Sequence, residues 1–162
     1  MAEVREIIER DLPDETATVA LAQRLAPAVG EGGVVYLQGE LGAGKTSFAR
    51  ALLRALGASE RVKSPTYSLL ERYVVGCHDA FHLDLYRISA PEEIEWLGMD
   101  ELGDPTAIVL IEWPERGAGA LPPADLEIAL AYQGSGRAAR LSPQSPRGQA
   151  WLEVLGSVAT SS

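Results

Sequence analysis

At 162 residues, 46% hydrophobic and a formal charge of −9, the chain is long enough to bury a core and too acidic to grip a nucleic-acid backbone, which needs Lys and Arg to displace condensed counterions. A single cysteine, Cys77, excludes an internal disulfide, the charged start Met1–Glu6 lacks the apolar block of a secretory signal, and the aliphatic run Ala107–Ile111 is far below the roughly 20 residues of a membrane helix. The expectation is one cytoplasmic domain over residues 1–156 with a frayed tail at 157–162, no membrane contact, and any RNA held by a partner.

In chain order, Val4–Ile8 is expected as a first strand, and Asp14 as the cap of a helix over about Glu15–Val29, with Val19, Leu21, Ala22, Leu25 and Ala26 at helical spacing. Val34–Leu37 predicts a short buried strand running into a glycine-rich turn, followed by a helix over Ser47–Leu56 that Gly57 stops. Tyr67–Val75 and Ala80–Ile88 predict two strands turning at Gly76, a connection short enough to require antiparallel pairing. Ser89-Ala90-Pro91-Glu92 has the form of a capping box opening a short helix that ends near Gly98. Ala107–Glu112 predicts another buried strand, Leu126–Tyr132 and Arg137–Leu141 a hairpin around Gln133–Gly136, and Gly148–Leu155 a last helix. Strands alternating with helices predict an α/β fold of the P-loop NTPase type, three-layered, with a mixed, mainly parallel central sheet and an antiparallel hairpin.

Gly39-Glu40-Leu41-Gly42-Ala43-Gly44-Lys45-Thr46 satisfies G-x-x-x-x-G-K-[ST] between a predicted buried strand and a predicted helix, where such a loop must lie. Its glycines let the backbone take positive φ and turn successive N–H groups inward, and the helix N-terminus adds partial positive charge. The expected ligand is ATP with Mg²⁺: Lys45 would reach the β- and γ-phosphates and the Thr46 hydroxyl would ligate the metal. Twelve of the 14 basic residues are arginine, so Lys45 and Lys63 either mark positions that want a compact ammonium or are leftover surface lysines.

Such a site also needs a carboxylate, commonly at the end of a second parallel strand, and Glu112 at the end of Ala107–Glu112 would emerge on the same sheet edge as Gly39. Asp84, on the polar face of a strand whose Phe81, Leu83 and Leu85 point the other way, could ligate Mg²⁺ through water, orient the attacking water, or bond Arg87 or a nearby backbone N–H. His82 shares that face and reads as a structural or exposed histidine. Guanine recognition through N-K-x-D is excluded, because the chain contains no asparagine, and Asp100-Glu101-Leu102-Gly103 matches D-x-x-G without ending a hydrophobic strand. A non-catalytic nucleotide sensor and a small-molecule kinase are the rival classes, although no arginine-bearing lid follows the loop.

Four blocks in order, Gly39–Phe48, Val62-Lys63-Ser64-Pro65-Thr66-Tyr67, His82-Leu83-Asp84-Leu85-Tyr86-Arg87 and Ile111-Glu112-Trp113-Pro114, resemble the bacterial TsaE (YjeE) ATPase family, which takes part in making threonylcarbamoyladenosine beside the tRNA anticodon. The resemblance runs from the Asp14-Glu15 helix start to Gly136-Arg137. It implies that Lys45, Asp84 and Glu112 are catalytic, that Thr46, Glu112 and Asp84 serve the metal, and that Ser64, Pro65 and Thr66 form a nucleotide-responsive switch. It further implies nucleotide contacts from Gly39, Leu41, Gly42, Ala43, Gly44, Lys45, Thr46, Ser47 and Trp113, and from Glu15 and Gly136 on the far side. The implied partners are TsaB and TsaD, with tRNA touched only indirectly and hydrolysis weak until they promote it. Glu40 and Ser47 depart from the family's usual aspartate and threonine but keep a carboxylate and a hydroxyl, and Leu102-Gly103 replaces a more aromatic pair.

Overall fold

Apolar runs of two periodicities build the chain, and in the computed structural model, which describes residues 7–58, 70–95 and 102–159, they become strands and helices in alternation. Among the described residues the order is β1 (Ile8–Leu12), α1 (Glu15–Val29), β2 (Gly33–Gly39), α2 (Lys45–Ala55), β3 (Leu70–Val75), β4 (His78–Asp84), α3 (Glu92–Glu95), β5 (Ile108–Glu112), β6 (Leu126–Gln133), β7 (Gly136–Pro143) and α4 (Pro146–Ala159). The seven described strands form one sheet in the order β1-β7-β6-β2-β5-β4-β3. β4, β5, β2 and β6 run parallel at its centre, while β3 and the β7–β1 pair add antiparallel flanks.

The central strands are covered on both faces, so β5 is buried at every position and its sequence is an unbroken aliphatic run rather than an alternation. One face packs Val35, Leu37, Leu110 and Ile128 against Leu25 of α1, Phe48 and Leu52 of α2 and Trp151 of α4. The other packs Val34, Phe81, Leu83, Val109 and Ile111 against Ile94 of α3 and the neighbouring Leu85 and Leu102. The result is the expected three-layered α/β architecture, thicker on the α1/α2/α4 side.

Several boundaries differ from expectation, each for a local reason. The first described strand is Ile8–Leu12; of the expected Val4–Ile8, residues 4–6 lie outside the described residues, Ile7 precedes the strand and Ile8 opens it. Ile-Glu-Arg-Asp-Leu alternates at period two and pairs along its whole length with β7, so charge on the outer face of an edge strand outweighed apolar density as the signal. Helix α2 starts at Lys45, two residues early, because Gly44 at φ 102° can serve as its N-cap. The capping carboxylate near α3 is Glu93, not Glu92: its Oε2 accepts from the backbone N–H of Ser89 (2.6 Å) and Ala90 (3.0 Å).

Helix α4 is longer than Gly148–Leu155 at both ends and continues to Ala159, inside the stretch expected as tail. Ser145 caps it by accepting from the Gly148 N–H at 3.1 Å, and Pro146 takes the first helical position, where a missing N–H costs nothing. The Ser145 hydroxyl in turn donates to Asp125 (2.6 Å), whose other carboxylate oxygen accepts from the Val34 N–H (2.9 Å), tying α4 to the strand that carries the glycine-rich loop. The end of the short helix near Gly98 and the start of the strand predicted from Tyr67 lie outside the described residues.

Asp14 caps α1 as expected, its side chain accepting from the Ala17 N–H at 2.9 Å. Asp14→Ala should therefore cost about 1 kcal/mol of stability and Asp14→Gly only a few tenths, read as a lower urea midpoint at unchanged slope.

Candidate functional site

Parallel pairing sets β2 and β5 side by side with Leu37 opposite Glu112, and β4 and β5 with Asp84 opposite Glu112. The carboxyl ends of three adjacent strands thus open onto one sheet edge, and residues paired in register point to the same face, here the face that α2 covers. Glu112 and Asp84 consequently lie beneath the N-terminus of α2, with the chain from Gly39 to Gly44 looping over them.

The loop's course is set by its glycines. Gly39 (φ 142°), Gly42 (φ 82°) and Gly44 (φ 102°) all take positive φ, which side-chain-bearing residues rarely adopt. A side chain on Gly39 would overlap the Leu130 carbonyl of β6, whereas one on Gly44 would project into open space, so the loop leaves room immediately before the helix. Lys45, 4% exposed, turns its Nζ back to donate to the carbonyls of Gly39 (2.7 Å) and Glu40 (2.8 Å), and sits 4.4 Å from the centre of the Trp113 ring. Burial lowers the Lys45 pKa, and the carboxylates of Glu112, Asp84 and Glu115 oppose that shift.

The Thr46 hydroxyl donates to both oxygens of Glu112, at 2.8 and 2.9 Å. Glu112 is 2% exposed, and its Oε2 also lies 2.6 Å from His82 Nε2. His82 is also buried; burial works to lower its pKa, but the hydrogen bond to Glu112 and the charges of Glu112 and Glu71 overcome that and raise it to about 9. Asp84 is half-buried and accepts from the Tyr86 backbone N–H at 3.1 Å, the local bond that the sequence left open as one alternative.

Trp113 completes the edge. It is the one non-glycine residue at positive φ (59°) among those described, a conformation that costs of order 1–3 kcal/mol and tends to occur at working sites. Its N–H donates to the Leu37 carbonyl at 3.3 Å, its ring tilts against Tyr86 at 5.1 Å, and the Arg116 guanidinium lies 5.5 Å from it.

Leu41, Gly42, Gly44, Lys45, Thr46, Ser47, Asp84, Glu112 and Trp113 line one cleft of about 210 Å³. Glu15, Ala43 and Gly136 are not in it; with Gly44 and Ser47 they line a second cavity, about 290 Å³, on the α1 side of the loop. Gly39 sits below as the end of β2, contributing its carbonyl to Lys45. Ser64, Pro65 and Thr66, expected as a switch, lie outside the described residues, as does Lys63. Sequence reasoning set His82 aside as structural or exposed; it is buried against Glu112. It also passed over Glu71 on β3, which lines a third cavity of about 540 Å³ together with His82, Asp84 and Glu112. Tyr132 and Arg137 were missed as well: they grip the loop from the hairpin, donating to the Leu41 carbonyl (3.1 Å) and the Gly42 carbonyl (3.2 Å). The period-two place of His82 on the strand of Asp84 was the available signal; for the hairpin pair there was none.

A glycine-rich loop ahead of a helix N-terminus, a buried ammonium and a hydroxyl–carboxylate pair suit a polyanion accompanied by a hard cation. Among the described residues no group of three His, Cys, Asp or Glu is arranged to hold a metal.

The family model described as "Threonylcarbamoyl adenosine biosynthesis protein TsaE" matches residues 12–140. The tRNA threonylcarbamoyladenosine biosynthesis protein TsaE of Haemophilus influenzae is 36% identical over 149 residues, covering 89% of this chain and 94% of that protein. The protein of the same name from Bacillus subtilis is 35% identical over 122 residues, 75% of each chain. A crystal structure of Bacillus subtilis YdiB superposes with a TM-score of 0.76 over 98% of this chain and 99% of that one, at 22% identity, a likeness of fold. The chain belongs to the TsaE family, whose role lies in tRNA threonylcarbamoyladenosine biosynthesis.

Proposed function

We propose that the chain is a Mg²⁺-dependent ATPase that supports threonylcarbamoyladenosine modification of tRNA in concert with TsaB and TsaD. The observation that carries the reading is the hydrogen-bonded pair of Thr46 and Glu112 beneath a loop of the sequence Gly-x-x-x-x-Gly-Lys-Thr. A hydroxyl and a carboxylate held 2.8 Å apart are the protein's usual contribution to a magnesium ion that shares triphosphate oxygens.

In this reading the triphosphate follows the loop amides from Gly42 to Ser47, and the Lys45 ammonium exchanges the carbonyls of Gly39 and Glu40 for β- and γ-phosphate oxygens. Mg²⁺, when bound, would supply positive charge against the charge that develops on the phosphate oxygens. Thr46 and Glu112 would hold it, while Asp84, adjacent to Glu112 in register, orients water at the γ-phosphate or at the metal. Attack by that water forms one P–O bond as the bond to the β-phosphate oxygen breaks, and the water's proton passes to phosphate or to a carboxylate. The cavity beside Glu15 and Gly136 meets the cleft at Gly44 and Ser47, so it suits the nucleoside end. Adenine is favoured over guanine because an asparagine-free chain has no N-K-x-D. With a charge of −9, the chain leaves tRNA to basic partners, in keeping with an indirect role. No described helix is long and apolar enough to cross a membrane, and a cytoplasmic location fits the single cysteine.

Lys45→Ala should weaken ATP binding by roughly tenfold or more, the worth of a charge-assisted contact, with cooperative unfolding retained; calorimetry that finds unchanged affinity contradicts the reading. Glu112→Gln and Asp84→Asn should each slow single-turnover hydrolysis, measured with TsaB and TsaD present, by a factor of about 100–1000 for the metal-side acid. Hydrolysis at the unmutated rate in both variants would instead favour a nucleotide-dependent switch without catalysis, and phosphate appearing on a sugar or nucleotide would favour a kinase.

A further inference from the structure

Glu112 is a carboxylate with almost no access to water, and such a group is costly unless donors fix it. It has two described side-chain neighbours that can do so: the Thr46 hydroxyl and the His82 ring. Thr46 is also the residue whose hydroxyl a bound metal would claim, which leaves His82 as the contact independent of the ligand.

The sheet explains why His82 can reach. It stands opposite Leu110 on β5 and opposite Glu71 on β3, and Glu112 is two residues beyond Leu110, so the ring spans a diagonal between adjacent strands. Its Nε2 is 2.6 Å from Glu112 Oε2, and its Nδ1, facing the other way, is 3.4 Å from Glu71 Oε1. Thr46, Glu112, His82 and Glu71 thus form a line of polar contacts from α2 through three strands, with its last two members at the wall of the 540 Å³ cavity rather than in the nucleotide cleft.

We propose that His82 is a positioning residue for the metal-side acid: its Nε2 bond to Glu112 Oε2 holds the carboxylate so that Oε1 stays turned to Thr46 and the cleft, while the Glu71 carboxylate faces the ring's other nitrogen as a counter-charge. The assignment rests on the Mg²⁺–ATP reading. It gives His82 the part of an outer residue that orients a ligand without touching the metal or substrate, a role whose loss typically lowers metal affinity or activity by about 10–100-fold.

The test uses the full chain and a non-hydrolysable ATP analogue, titrated by calorimetry with and without Mg²⁺. The quantity read is the ratio of the two affinities. His82→Asn, whose amide reproduces Nδ1 but stops short of Nε2, should shrink that ratio by about tenfold or more while affinity without metal stays within about twofold. His82→Gln, whose amide nitrogen extends to the Nε2 position, should restore most of it, a rescue that a purely structural histidine would not give. Glu71→Gln should give a smaller loss of about threefold and serves as the test if His82→Asn fails to fold. An unmutated chain that shows a metal-dependent ratio which neither His82→Asn nor Glu71→Gln alters overturns the positioning role and leaves the ATPase reading standing. An unmutated chain that binds no analogue removes both.

Discussion

The contact between the Thr46 hydroxyl and the Glu112 carboxylate joins the first turn of α2 to the last residue of β5, and the geometry of the site follows from it. It can form only because β2 and β5 pair in parallel with Leu37 opposite Glu112, so that the strand feeding the loop and the strand carrying the acid end together. Parallel pairing requires crossover connections, and these place α2 over the edge where the strands stop. Asp125, bridging the Val34 N–H and Ser145, then anchors the start of that central strand to α4.

Charge distribution inside the protein tells the same story. The buried charged or polar side chains among the described residues are Lys45, His82 and Glu112, and all three meet at this one edge. An ion pair in the interior generally breaks even at best against an apolar replacement, so three ionisable groups gathered beside a half-buried Asp84 are poorly explained by stability and well explained by chemistry. Lys45 spends its donors on two loop carbonyls that a polyanion could replace, and Trp113 is held at positive φ with its ring over that ammonium. Both are features of a site arranged in advance for a ligand.

Local signals were legible in the sequence, and long-range ones were not. Helix α1 was readable to the residue because Asp14 caps it and its apolar face repeats at 3.6 residues; β5 was readable because burial on both faces leaves an unbroken aliphatic run. The loop was readable because a strand, three glycines at fixed spacing and a helix leave few alternatives. The contact of His82 with Glu112 was not legible because it depends on a partner 30 residues away across a strand boundary, and nothing in the alternation of Phe81 to Tyr86 says what covers the polar face. The grip of Tyr132 and Arg137 on Leu41 and Gly42 joins segments more than 90 residues apart, set by a sheet order that the sequence does not spell out. The run of β1 from Ile8 on to Leu12 was missed for a related reason: an edge strand needs only one buried face, and Ile8–Leu12 alternates in just that way.

The central claim is that the backbone amides from Gly42 to Ser47 enclose the phosphates of ATP. The most direct test is to follow the amide resonances of the chain by NMR as ATP and Mg²⁺ are added. The account predicts that Gly42, Gly44, Lys45 and Thr46 shift the most and saturate together, with GTP far weaker. Resonances of these four residues that stay in place, or that move no more than those on the opposite sheet edge, would contradict it.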